Sequence, residues 1–204
     1  MTKIHDSTIK RYSFGDNHLS HGVLIGSAVG IGTAALFLTK GKISNLKNSD
    51  FGIKEVMTLS TCASLGGYLS ANHIKKEVDK KARNRELVNQ LLYNDFIPLI
   101  ILHFADKLIK IKNKLIKSLI LSGTVLVSTF ASHKLADIEM KKHGIEKKFP
   151  VQIQHLIPEL DDYLLPVAIV TKSKMLQQFL KILSPFTFIP MGYCIGTVKD
   201  DKYF

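Results

Sequence analysis

Apolar residues in this chain fall into blocks, and each block is fenced by lysines. Residues 19–39 form the clearest one, 21 positions without a charged side chain. At 1.5 Å per residue, a helix of that length spans about 30 Å, the thickness of a bilayer's hydrocarbon core. Within it Gly22, Gly26, Gly30 and Ala34 recur at every fourth position. That spacing lines them along one helix face, where a second helix can approach closely.

Three further blocks read as spans. Residues 56–72 carry Ala63, Gly67 and Ala71 four apart; 115–132 carry Ser118, Ser122, Ser128 and Ser132; 182–198 hold Pro185, Pro190 and a Gly192–Gly196 pair. Two blocks are weaker. Only ten uncharged residues separate Asp95 from Asp106, so the third crosses only by starting near Leu87 or by letting Lys107 and Lys110 snorkel. The fifth centres on 163–171 and needs Leu176 or Leu180 to extend it. Either could be re-entrant, which requires protein or a water-filled cavity around the backbone.

The pattern predicts an all-α, polytopic membrane protein with about six transmembrane segments arranged as three helical hairpins. Residues 1–18 form a polar N-terminal segment, 19–198 a single helical membrane domain, and 199–204 a short polar tail. Eighteen mixed polar residues precede the first block, which is also too long for a signal peptide's core, so it reads as a retained span. The hairpins share weak internal repetition. Asn94 lies four residues before Pro98, as Asp162 does before Pro166, and His73, Glu77 and Asp79 repeat the spacing of His133, Asp137 and Glu139.

Composition refines this picture. Mean hydropathy is only +0.11 over 204 residues, because lysine-rich hinges offset the apolar blocks. Net charge is +11, and only Arg11, Arg83 and Arg85 are arginines. Lysines beside apolar runs suit anionic lipid headgroups better than nucleic acid, whose readers cluster arginine with aromatics on a soluble fold. The Lys-, Ile- and Asn-rich composition points to an AT-rich genome, and the expected setting is a bacterial plasma membrane. Cys62 and Cys194 lie inside apolar blocks and read as small packing residues.

With six spans, the face bearing the termini holds 16 Lys and Arg and 14 acids, against 12 Lys and three acids at the hinges. Counting Lys and Arg favours the termini inside, while the shorter, more purely basic hinges favour the reverse; the first count is preferred.

The chemistry concentrates on the terminal face, with seven of eight histidines and 14 of 17 carboxylates. His73 with Glu77, and His133 with Asp137, are each one helical turn apart, and imidazole with carboxylate suits a divalent transition metal. A solvated helix edge is the plainer reading of that set. Asn94 and Asp162 read as helix caps ahead of a first-turn proline. The sharper alternative puts carboxylates inside the bilayer, where charge is costly and functional, with Asp95 the foremost candidate. Apart from His21 at the very start of the first block, His103 is the one histidine within a predicted span, read as an interhelical hydrogen-bonder ahead of a proton relay or ion ligand. The glycine stripe reads first as packing within the chain against the second span, with a second copy or a pore lining as alternatives. No serine-hydrolase, zincin, phosphate-loop or dinucleotide pattern occurs, which argues against an enzyme without excluding one. No cofactor is expected beyond a speculative divalent metal. The expected function is permeation or transport of a cation, proton or small metabolite. A structural or assembly protein of the membrane comes second, and an enzyme acting on lipid headgroups third.

Overall fold

The computed structural model describes residues 17–41, 51–75, 80–142 and 160–198; the side chains of residues 17, 137, 140–142 and 160–163 lie outside that description. Every regular element within these ranges is helical. They are α1 (Asn17–Leu38), α2 (Ile53–Ile74), α3 (Lys80–Val88), a π-helical stretch (Asn89–Phe96), α4 (Ile97–Leu108), α5 (Lys114–Lys142), α6 (Leu160–Thr171) and α7 (Lys174–Thr197). α3, the π stretch and α4 follow one another without a break and form a single rod of 29 residues.

Among the described residues four helices are long and apolar enough to cross a membrane: His18–Leu38, Lys80–Leu108, Lys114–Ala136 and Lys174–Thr197. The third block, too short on its own, gains its length from the polar residues ahead of it. The second block forms a 22-residue helix but is too rich in Ser, Thr and Gly to stand among the four. Packing explains that composition. α2 lies between α1 and α7, so small residues serve it better than large apolar ones. α6 has only 12 residues, about 18 Å of helix, and contains Pro166.

The basic hinges are also helix punctuation. α1 ends through Lys40 and Gly41 at φ of 52° and 77°, a left-handed exit that closes the last turn. The Gly52 N–H donates to the Glu55 carboxylate at 2.9 Å as α2 begins. The Asn113 side-chain oxygen accepts from the Leu115 and Ile116 N–H groups at the start of α5. Ser173 does the same for Leu176 at the start of α7.

Packing falls into two groups. In the first, α1 runs antiparallel to α2 and α7 along a seam of glycines. A Cβ on Gly26 would strike the Gly66 carbonyl, and one on Gly30 the Cys62 carbonyl. Gly67 and Gly192 meet backbone to backbone beside Ser27, and Gly196 closes on Val23. Ser70 donates to the Gly22 carbonyl at 2.6 Å. Ala34, Ala63 and Ala71 are fully buried. In the second group the rod packs on α5 and α5 on α6, around the fully buried Leu99, Leu102, Leu121 and Leu165. The groups meet where α6 touches α7, where α3 touches α7 and where the π stretch touches α2. The outer faces are apolar, with Val29 62% and Phe186 68% exposed. Such surfaces suit lipid rather than water.

Candidate functional site

The local sequence explains the π stretch. Pro98 has no N–H to give to the Asn94 carbonyl, and in an α-helix its ring would press on that carbonyl. Wider winding over Asn89–Phe96 resolves both problems. Ile97 donates instead to the Leu92 carbonyl, five residues back. Asn94 therefore caps no helix, contrary to the reading from its place before a proline; it sits in mid-rod. Asp95 is buried, at 4% exposure.

Polar side chains run along the rod toward Asp95. The Gln90 amide N–H donates to the Glu86 carboxylate at 2.7 Å, and the Asn94 amide N–H donates to the Gln90 side-chain oxygen at 2.7 Å. Nearer the start of the rod, Arg83 is almost fully buried. Its Nε donates to Asn72 at 2.9 Å and its Nη2 to the Lys75 carbonyl at 2.8 Å, tying the rod to the end of α2. The Tyr68 hydroxyl donates to the Asn84 side chain at 2.6 Å. The side-chain oxygens of Asn89, Asn94 and Ser64 are buried without a hydrogen-bond partner.

Depth follows from the outer face of the same rod. Val88, Leu92, Ile100, Phe104 and Leu108 are exposed large apolar residues. Val88 to Leu108 rises about 30 Å, one hydrocarbon thickness. Asp95 lies within that interval, roughly 20 Å from the hinge end of the rod. α5 packs against the π stretch. Lys117 pairs with Asp106 at 2.7 Å and fixes the register of α5 against the rod. Asp95 and Ser128 are each eleven residues from that pair, and Gln90 and His133 each sixteen, so they lie at about the same levels. Ser128, Thr129 and Ser132 are buried there; Ser128 and Ser132 bond carbonyls of their own helix.

The other candidates lie apart from this cluster. His103 is exposed on α4, its ring edge-on to Phe104 with centroids 5.9 Å apart. Asp162 falls in α6 with its side chain outside the described set. His73 is exposed at the end of α2, and Glu77 is not among the described residues. His133 is half-buried on α5, and the Asp137 side chain is not described. Among the described residues no three His, Cys, Asp or Glu side chains gather closely enough to hold a metal. The stripes meet inside the chain: Gly22, Gly26 and Gly30 against α2, Gly67 against α7, and Gly192 and Gly196 against α1 and α2.

Sequence reasoning passed over Glu86, Gln90, Ser64 and Arg83. The first two had a legible signal, since Glu86, Gln90 and Asn94 are four apart. Gly66 was missed because it lies one position off the Ala63–Gly67–Ala71 stripe, yet it touches Gly26. No protein-family model, curated protein or solved structure matches the chain.

Proposed function

We propose that the protein carries a small cation or proton across a membrane, with Asp95 at the centre of the path. One observation supports this above the others: a buried carboxylate stands at hydrocarbon depth in the single π-helical interruption among the described helices. Ionisable groups are costly at that depth, and π stretches gather at functional sites. The polar ladder from Glu86 to Asn94 connects that depth to the end of the rod nearer the terminal face. In the proposed topology α2 also crosses the membrane, sheltered from lipid by its neighbours. α6 with its following turn completes six segments in three hairpins, and the termini lie inside.

The test is flux into proteoliposomes. Purified protein should carry Na⁺, K⁺ or H⁺ down an imposed gradient. Asp95→Asn keeps the side chain's shape and removes its charge, and should lower the rate at least tenfold with the protein still inserted and monodisperse. Equal flux in the two proteins would remove the reading.

A second reading is a structural membrane protein, favoured by the glycine seam that locks α1, α2 and α7 together. It predicts no flux and no effect of Asp95→Asn beyond stability.

A further inference from the structure

We infer that the hinge between α4 and α5 is a docking surface for the headgroups of anionic phospholipids, with Lys107, Lys110, Lys112 and Lys114 as the groups that meet the phosphates. The surface stands apart from Asp95, so this inference and the transport reading are independent.

The hinge is shaped by one clamp. α4 ends at Leu108 and α5 begins at Lys114. Between them the chain turns back. The Lys117 ammonium donates to the Asp106 carboxylate at 2.7 Å and to the Asp106 carbonyl at 3.1 Å. The Asn113 side chain meanwhile accepts from the first turn of α5. These contacts occupy one lysine and the acid beside it. No second acid occurs from residue 96 to residue 136. Lys107, Lys110, Lys112 and Lys114 are all exposed, and among the described residues none of their ammonium groups meets a carboxylate. Four positive charges therefore stand within eight residues with nothing in the hinge to neutralise them.

The same hinge is apolar. Leu108 is 78% exposed and Leu115 69%, one on each arm just below the turn. Ile111, Ile116 and Leu119 are exposed as well. A soluble polyanion would answer the lysines and leave the leucines in water. Residues 105–117 also lack arginine and aromatic side chains, the groups that grip nucleic acid. A lipid leaflet answers both halves of the pattern. Leucine and isoleucine side chains enter the boundary of the acyl chains, lysine stems follow them, and the ammonium groups stay at phosphate level. Anionic headgroups gain from each lysine held near the surface, whereas zwitterionic ones gain little. His103 extends the row inward. It is exposed on α4 one turn before Lys107, so its imidazole N–H lies on the same side of the helix.

The experiment measures lipid selectivity. The full-length chain is reconstituted into phosphatidylcholine vesicles with a trace of spin-labelled phosphatidylglycerol or spin-labelled phosphatidylcholine, and electron spin resonance gives the immobilised fraction of each. Phosphatidylglycerol should be held roughly fivefold more strongly. Molar KCl should remove most of that preference. Changing Lys107→Gln, Lys110→Gln, Lys112→Gln and Lys114→Gln together should cost more than half of it. Lys117 stays, because it holds Asp106. The matching fourfold change to Arg should keep the preference. Lys80→Gln with Lys81→Gln, at the far end of the rod, should leave it intact. Lys110→Gln with Lys112→Gln, both outside any helix, carries the test if the fourfold variant fails to fold. The inference is overturned if the wild-type chain holds both lipids equally, if a folded hinge variant keeps the full preference, or if the far-end pair lowers it as much. It also falls if millimolar inorganic phosphate at constant ionic strength abolishes the preference, since the occupant would then be a soluble anion.

Discussion

Gly30 and Gly32 are two residues apart and ask for opposite things. A Cβ on Gly30 would strike the Cys62 carbonyl, whereas one on Gly32 meets nothing within 4 Å. Gly30→Leu should push α1 off α2 and destabilise the fold by about 1–3 kcal/mol. Gly32→Ala should stabilise it by about 0.5–1 kcal/mol, because glycine in a helix interior carries an entropic cost without benefit there. Thermal unfolding of both in one detergent measures the contrast, and equal shifts would mean the seam is not where the glycines place it. Arg83 makes a different demand. Its guanidinium serves Asn72 and the Lys75 carbonyl from an almost fully buried position. Arg83→Met keeps much of the volume but strands both acceptors, at a cost on the order of 2–4 kcal/mol. A variant as stable as wild type would show that water takes over both bonds.

Among the elements, the rod is where sequence and structure part most. Its apolar half, after Asp95, was legible from hydropathy as a short, weak block. Its polar half was not, because Glu86, Gln90 and Asn94 look like a solvated edge until one sees that they bond to one another and lead to a buried acid. Periodicity assumes one winding throughout, and the π stretch changes the winding at the very residues that matter. The all-helical class and the strong first, fourth and sixth blocks were legible, since long uncharged runs need no fine register. The glycine spacing announced a close approach, though only the structure adds Gly66 and Ser27 to it. α2 was read as apolar, and its serines and threonines keep it below the four strong candidates. The π stretch also makes an element-scale prediction. Deleting Leu92, an outward-facing residue within it, lets the rod return to α winding with both ends in register. Helix content by circular dichroism and detergent monodispersity should be unchanged, while cation flux into proteoliposomes should fall at least tenfold. Retained flux would mean that the winding is incidental to the path.

For the whole molecule, the arrangement divides the helix ends between two faces. Lys112 and Lys174 sit at hinges, whereas His73 and Glu139 sit near the opposite ends of their helices. Single cysteines at these positions in a Cys62- and Cys194-free background should label from one side for the first pair and from the other for the second. Labelling of all four from one side would dismantle the alternation of the bundle. The rod adds a property of its own. Its 29 residues rise about 43 Å, well beyond a hydrocarbon core of about 30 Å. Arg83 ties its first turns to the end of α2, so the surplus has to be met by lean or by projection past the headgroups. The distance from Asp95 to water is then a property of the lipid as much as of the chain. A thinner bilayer brings the carboxylate toward the surface and a thicker one draws it down. Hydrophobic mismatch would act on this protein as a tuning variable, and the same chain should behave differently in short- and long-acyl vesicles.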